Sequence, residues 1–192
     1  MECGDEGGYL YHVYRVTIAT GTREYLGTRC MVSEENEPTE QQVREAFRRT
    51  PVPKSELMIQ PPDGRTLVNF ETIFRTEAEQ FTRSMSLLGF QVDLEISPAT
   101  FQWVHGDGTD QSSSWPGRSY DRTIAVSSSS YITHSYERKG TAQPRVDTTW
   151  TARYRINGGD WRPVNGTVTI QGDAVDLEIL EAAPMLVDPY GT

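Results

Sequence analysis

From Arg145 to Ile156 the chain alternates without a break. Val146, Thr148, Trp150, Ala152, Tyr154 and Ile156 fall on one side and Arg145, Asp147, Thr149, Thr151, Arg153 and Arg155 on the other. A period of two is the signature of an extended strand with one face buried, because wound as a helix the same residues would scatter their apolar groups around the axis. One face so rich in large residues demands a second layer to cover it. Asn157-Gly158-Gly159-Asp160 then turns the chain back.

The same rhythm recurs on both sides of this stretch. Phe90, Val92, Leu94 and Ile96 alternate with Gln91, Asp93 and Glu95, and Gly89 joins them to Phe81–Leu88 as a hairpin. Pro98 precedes a further strand, Thr100–His105, pointing Phe101 and Trp103 the same way. Leu67–Phe74, Trp161–Val164, Thr167–Ile170 and Ala174–Leu180 complete the set. After Gly108 the pattern lapses for about 25 residues, an extended loop with at most one short strand, Thr123–Val126. Strands at this spacing, with no helical pattern after residue 50, predict a mainly β protein folded as a two-sheet sandwich.

The N-terminal part reads differently. Tyr9, Tyr11 and Val13 share one side of a strand that Val16 and Ile18 continue after a bulge, and a second strand spans Glu24–Val32. Thr39 followed three residues later by Gln42 is a capping box. Val43, Ala46 and Phe47 then fall at helical spacing, with Glu40 at the start and Arg48 and Arg49 at the end, until Pro51 and Pro53 stop the helix. The chain thus divides into a small β-β-α unit with a Pro-rich linker (residues 1–60), a β-sandwich (65–182) and a C-terminal tail (183–192).

Charge and composition narrow the partners. Eighteen basic against 27 acidic side chains give a net charge of −9, which repels nucleic-acid phosphates, and no basic cluster stands out to reverse that. No nucleic-acid partner is expected. No stretch approaches the roughly 18 to 20 apolar residues of a membrane span, and the N-terminus lacks the pattern of a signal peptide. The two cysteines, Cys3 and Cys30, fit no zinc or thiol-redox spacing, leaving a disulfide or two inert thiols. A bridge would tie down the chain start and place the protein in an oxidising compartment, as a secreted or surface-attached chain whose signal has already been removed.

Chemistry is harder to find. Of the three histidines, His105 and His134 could meet across neighbouring strands with Asp107 as a third zinc ligand, or serve as a general base beside a carboxylate. The alternative is a pair of imidazoles packed beside a turn. There is no nucleophile elbow, phosphate-cradling glycine loop, His-Glu-x-x-His or calcium loop, so no catalytic residue, metal or cofactor is assigned. Asn165-Gly166-Thr167 matches a glycosylation acceptor but reads first as a hairpin turn. In the arrhythmic loop, Trp115 and Tyr120 are candidate anchors for a protein or a sugar ring; Trp115 could equally fold back over the open end of the sandwich.

Trp103-Val104-His105-Gly106-Asp107-Gly108, followed by His134-Ser135-Tyr136 and Gly140, resembles the PKD (polycystic kidney disease) domain, an immunoglobulin-like sandwich with the pattern Trp-x-Phe-Gly-Asp-Gly and then His-x-Tyr before a glycine turn. His105 stands where that pattern has an aromatic, and 25 residues separate Gly108 from His134. The resemblance implies that Trp103 packs between the sheets, that Gly106-Asp107-Gly108 forms a tight turn, and that Tyr136 ties a corner. The full layout also looks like exported actinobacterial proteins of unknown function that carry PKD-like domains. It implies a non-catalytic binding or scaffolding module, secreted or at the cell surface, engaging a protein or carbohydrate. The alternatives are a structural subunit of a surface assembly or virion, and a hydrolase with an unrecognised site.

Overall fold

A computed structural model describes residues 2–3, 8–17, 20–31 and 37–182. It is mainly β, with one helix and several sheets. The N-terminal sheet contains β1 (Glu2–Cys3), β2 (Gly8–Thr17) and β3 (Thr22–Met31), all antiparallel. Helix α1 (Glu40–Arg49) follows, opened by the expected capping box: the Thr39 hydroxyl accepts from the Gln42 amide while the Gln42 side chain accepts from the Thr39 amide. Next come β4 (Met58–Gln60), β5 (Arg65–Leu67), β6 (Glu71–Arg75), β7 (Phe81–Leu87), β8 (Phe90–Val104) and β9 (Asp110–Ser113). The chain ends with β10 (Ile132–Ser135), β11 (Gly140–Ala142), β12 (Arg145–Ile156), β13 (Arg162–Pro163), β14 (Val168–Ile170) and β15 (Leu177–Leu180).

β12 is the axis of the body. It pairs with β8 along its whole length, and β7, β9, β13 and β14 complete a six-stranded antiparallel sheet. The alternating row Val146 to Ile156 is buried throughout. At one end of that face, Trp150, Ala152, Tyr154 and Ile156 join Val92, Leu94 and Ile96, and what covers them is α1, through Val43 and Phe47. At the other end, Val146, Phe101 and Trp103 meet Phe74, Ile132, Ala142 and Leu177 from two small sheets, β10-β6-β4 and β11-β15-β5. The layer opposite the large sheet is therefore composite: a helix at one end, two three-stranded sheets at the other.

The strand order corrects several expectations. The strand expected from Leu67 to Phe74 is broken where Asn69 takes a left-handed φ of 59°; β5 then pairs in parallel with β15, while β6 crosses to the other small sheet. Pro98 does not separate two strands. β8 runs through it, and the pairing with β12 skips a residue between Thr100 and Pro98 opposite Thr149/Trp150, the two-against-one count of a β-bulge, where a residue without an N–H is tolerated. The extra residue reverses parity, so even positions up to Ile96 and odd positions from Phe101 point to the same side. Without it, Phe101 and Trp103 would face solvent. No strand forms at Thr123–Val126; the long loop instead contributes β9 on the β8 edge. In the N-terminal sheet the bulge lies in β3, at Leu26, where Val13 faces Gly27 and Tyr14 faces Tyr25. None of the described residues of that sheet belongs to either core cluster. The Cys3 and Cys30 side chains and the tail 183–192 lie outside the described residues.

The β7–β8 hairpin turns on Leu88 and Gly89, with φ of 54° and 87°. This is the mirror-image turn that matches strand twist, and it favours Asn or Asp before Gly. Leucine in that conformation crowds its Cβ against the backbone, and Leu88 is 61% exposed, so packing does not compensate. Leu88→Asn is expected to stabilise the protein by about 1 kcal/mol, raising the melting temperature by roughly 3 °C in a thermal melt.

Candidate functional site

The site worth testing is where the large sheet meets β10. β8 ends at Val104, and the His105 amide donates to the Thr109 carbonyl (3.1 Å), closing a five-residue turn before β9. Gly106 and Gly108 adopt φ of 82° and 95° there. Between them Asp107 folds onto its own turn: Oδ1 accepts from the Thr109 amide (3.0 Å) and the Thr109 hydroxyl (2.6 Å). β10 pairs with β6, setting His134 opposite Thr72, and His134 Nε2 donates to Asp107 Oδ2 at 2.6 Å.

The two imidazoles that the sequence singled out come together. Their rings stack face to face, centroids 4.0 Å apart and 6° from parallel. Tyr136 meets His134 edge-on at 4.7 Å and donates its hydroxyl to the His105 carbonyl at 2.9 Å. From β9, Gln111 donates to the Thr133 carbonyl (2.9 Å) and lies 3.4 Å from His105 Nε2. Phe74 packs on His105, which is buried, and its Nδ1 has no partner among the described residues.

The electrostatics follow from this packing. Burial, reinforced by the neighbouring His134, pushes His105 down to about 4, against a smaller opposing pull from Asp107 and Asp110. Burial alone would raise Asp107, but hydrogen bonds from the Thr109 hydroxyl, His134 and the Thr109 amide outweigh it and bring the carboxyl down to about 2. Burial, helped by the Asp107 charge, raises the Tyr136 phenol. His105 is thus a neutral core group and Asp107 a firmly ionised one.

Chemically this arrangement ties layers together. Ring nitrogens carry their lone pairs in the ring plane, so two parallel rings aim them along separate planes and cannot converge on one ion. Among the described residues no group of three or more His, Cys, Asp or Glu is placed to hold a metal. Both Asp107 oxygens are occupied, and the Thr109 hydroxyl near His134 gives its proton to Asp107. A cleft of about 450 Å³ opens beside His134, lined by Glu137, Arg138 and Lys139 among others.

The remaining motif residues have definite places. Trp103 is 1% exposed, and its indole N–H donates to Ser113 Oγ, which donates in turn to the Trp115 carbonyl. Gly140 begins β11 at φ 151°. Trp115 is half-buried against the second cluster with the Arg118 guanidinium 5.6 Å from its ring. The loop behind it is pinned, because the Thr76 amide donates to the Pro116 carbonyl and a Cβ on Gly117 would stand 2.6 Å from the Phe74 carbonyl. Tyr120 stays exposed, held through its amide to Gln60 and close to Tyr131. Trp115 and Tyr120 have different neighbours.

Two aromatic features escape a reading by periodicity. Trp161 lies on the polar outer face with the Arg153 and Arg155 guanidinium groups 5.0 and 4.8 Å from its ring. On one face of the N-terminal sheet, Tyr25 packs against His12 and Tyr14 at 5.8 and 5.4 Å. A bulge in the first strand would set Val16 in the row of Tyr9, Tyr11 and Val13; with the bulge in β3 instead, β2 alternates unbroken and Val16 falls in the row of His12 and Tyr14. Compared with family models, curated proteins and solved structures, the chain finds no match.

Proposed function

We propose that this protein is a non-catalytic binding or scaffolding module, secreted or held at the cell surface, built on a PKD-like sandwich of the immunoglobulin kind, and that it engages a protein or carbohydrate. The observation that carries the reading is the aromatic face of the N-terminal sheet. Tyr14, Val16 and Tyr25 are 52%, 52% and 53% exposed there, beside His12. A small sheet whose described residues join neither core is only marginally stable by itself, and apolar rows of this size gain their burial on meeting a partner. Tyrosine suits the task, since a large ring with few rotatable bonds loses little entropy on being fixed. The buried Trp103, the glycine turn around Asp107 and the Tyr136 tie support the PKD-like part of the proposal. The stacked histidines support the non-catalytic part, since the rings face each other and His134 Nε2 is engaged by Asp107.

The test compares wild type with Tyr14→Ser/Tyr25→Ser on glycan and extracellular-protein arrays. Wild type is expected to bind a member of one panel, and the double variant to bind it at least about tenfold more weakly, the scale of losing one anchor residue. His134→Ala should leave that binding unchanged. A hydrolase activity that disappears with His134→Ala would replace this reading with an enzymatic one.

A further inference from the structure

A second surface lies at the opposite end of the body from the histidine pair. β7 is the last strand of the large sheet on its side, and among the described residues it pairs only with β8. Its outward backbone N–H and C=O groups are therefore a template for another strand. Natural edges are usually blunted by Pro, Lys or a bulge. β7 has seven residues with no Pro or Lys and a single charged side chain, Arg83, and its register with β8 runs without irregularity.

Beside that edge α1 overhangs a cleft of about 580 Å³, with Ala46 and Pro51 on the helix side and Met85 and Leu87 on the strand side. Phe81, Arg83, Met85 and Leu87 form one row of β7, opposite the buried Ile96, Leu94 and Val92 and the half-buried Phe90. A strand added to β7 would place alternate side chains under the helix, in the cleft. Of the charges lining it, Glu45 and Arg49 satisfy each other. Arg83 rests on the Phe81 ring and has no carboxylate partner among the described residues. The cleft is apolar with one uncompensated positive charge.

We propose that the cleft between α1 and the open edge of β7 binds an extended segment of a partner polypeptide, with alternating apolar side chains and a carboxylate that pairs with Arg83. Main-chain bonds to β7 supply affinity, while the apolar pocket and the charge supply selection. A second copy of this chain offering its own β7 fits less well: that strand holds no Asp or Glu and would bring a second Arg83 to the site, the wrong sign for the first. The proposal does not depend on the aromatic face of the N-terminal sheet.

The probe is a fluorescent heptapeptide, Val-Thr-Glu-Thr-Val-Thr-Val, whose one face carries the three Val and the single Glu towards the cleft, titrated against the full chain by anisotropy. Three controls accompany it: the same peptide with Lys for Glu, the same peptide N-methylated at alternate residues, and the Arg83→Glu protein. The Glu peptide is expected to bind wild type, with amide resonance changes confined to Phe81–Leu87 and α1. The Lys peptide should bind about five- to tenfold more weakly, as loss of a partly exposed ion pair and gain of a repulsion would produce. Arg83→Glu should reverse the preference, and N-methylation should abolish binding on one edge of the peptide. Equal binding of the Glu and Lys peptides, binding indifferent to N-methylation, changes centred elsewhere, or no binding at millimolar peptide would each overturn the proposal. So would concentration-dependent changes at β7 without peptide, which would assign the edge to self-association.

Discussion

Gly106→Ala is expected to lower the unfolding free energy by about 3 kcal/mol, and Gly108→Ala, two residues along the same turn, by only about 1 kcal/mol. Both glycines have positive φ, so each alanine incurs the left-handed strain. Their surroundings differ. A Cβ on Gly106 would stand 2.5 Å from the Gln143 amide nitrogen and 2.8 Å from its carbonyl carbon, whereas a Cβ on Gly108 meets nothing within 4 Å. Backbone cannot swing aside as a side chain can, so the Gly106 variant must displace either the turn or the Gln143 segment that leads from β11 to β12. Moving the turn would also separate Asp107 from His134. Urea denaturation of the two variants measures the difference directly. Equal losses would mean that the Gly106 contact is relieved at no cost.

Stability should also fall by about 3 kcal/mol as pH drops from about 6.5 to about 4, and His105 is the cause. Its folded-state value of about 4 lies below the ordinary 6.5, so between those two pH values the unfolded chain takes up a proton that the folded chain refuses. The stabilisation is complete above 6.5 and is lost as pH falls through 4. The groups facing this ring are His134, Asp107 and Asp110. Asp107 adds a second, more acidic limb: with a folded value of about 2 against 3.8, its contribution is whole above 3.8 and disappears as pH falls through 2. Denaturant midpoints of wild type and His105→Gln across this range check the first limb, which should be missing in the variant. Should the variant fail to fold, the ring-proton resonances of His105 in wild type report the same value, and a midpoint near 6.5 would contradict the argument.

How far the fold could be read from the residues varied by element. Alternation located β12 and the β7–β8 hairpin because each has one face on the core and one in water, and a capping box followed by Pro51 bracketed α1 because those signals act within one helical turn. Alternation failed where a strand changes surroundings part-way. Leu67–Phe74 looks continuous, yet a single left-handed Asn69 hands the chain from one small sheet to another. Pro98 looked like an interruption, and the β8 bulge absorbs it. Of the candidate site, the residue types and the turn were legible: glycines around an aspartate, two histidines and a tyrosine. Their geometry was not, since whether His105 and His134 face an ion or each other depends on the register of β10 against β6.

The residues by themselves determined which side of each long strand is apolar, where the helix starts and stops, and where positive-φ turns must fall, because these are local steric and hydrogen-bonding matters. Only the tertiary structure decided what lies across from those apolar faces. Val43 and Phe47 close the core over Trp150, the stacked imidazoles join the two layers, and Tyr14 and Tyr25, half exposed, stand outside both cores formed by the described residues. Burial is a property of two surfaces meeting, and a one-dimensional pattern specifies only one of them.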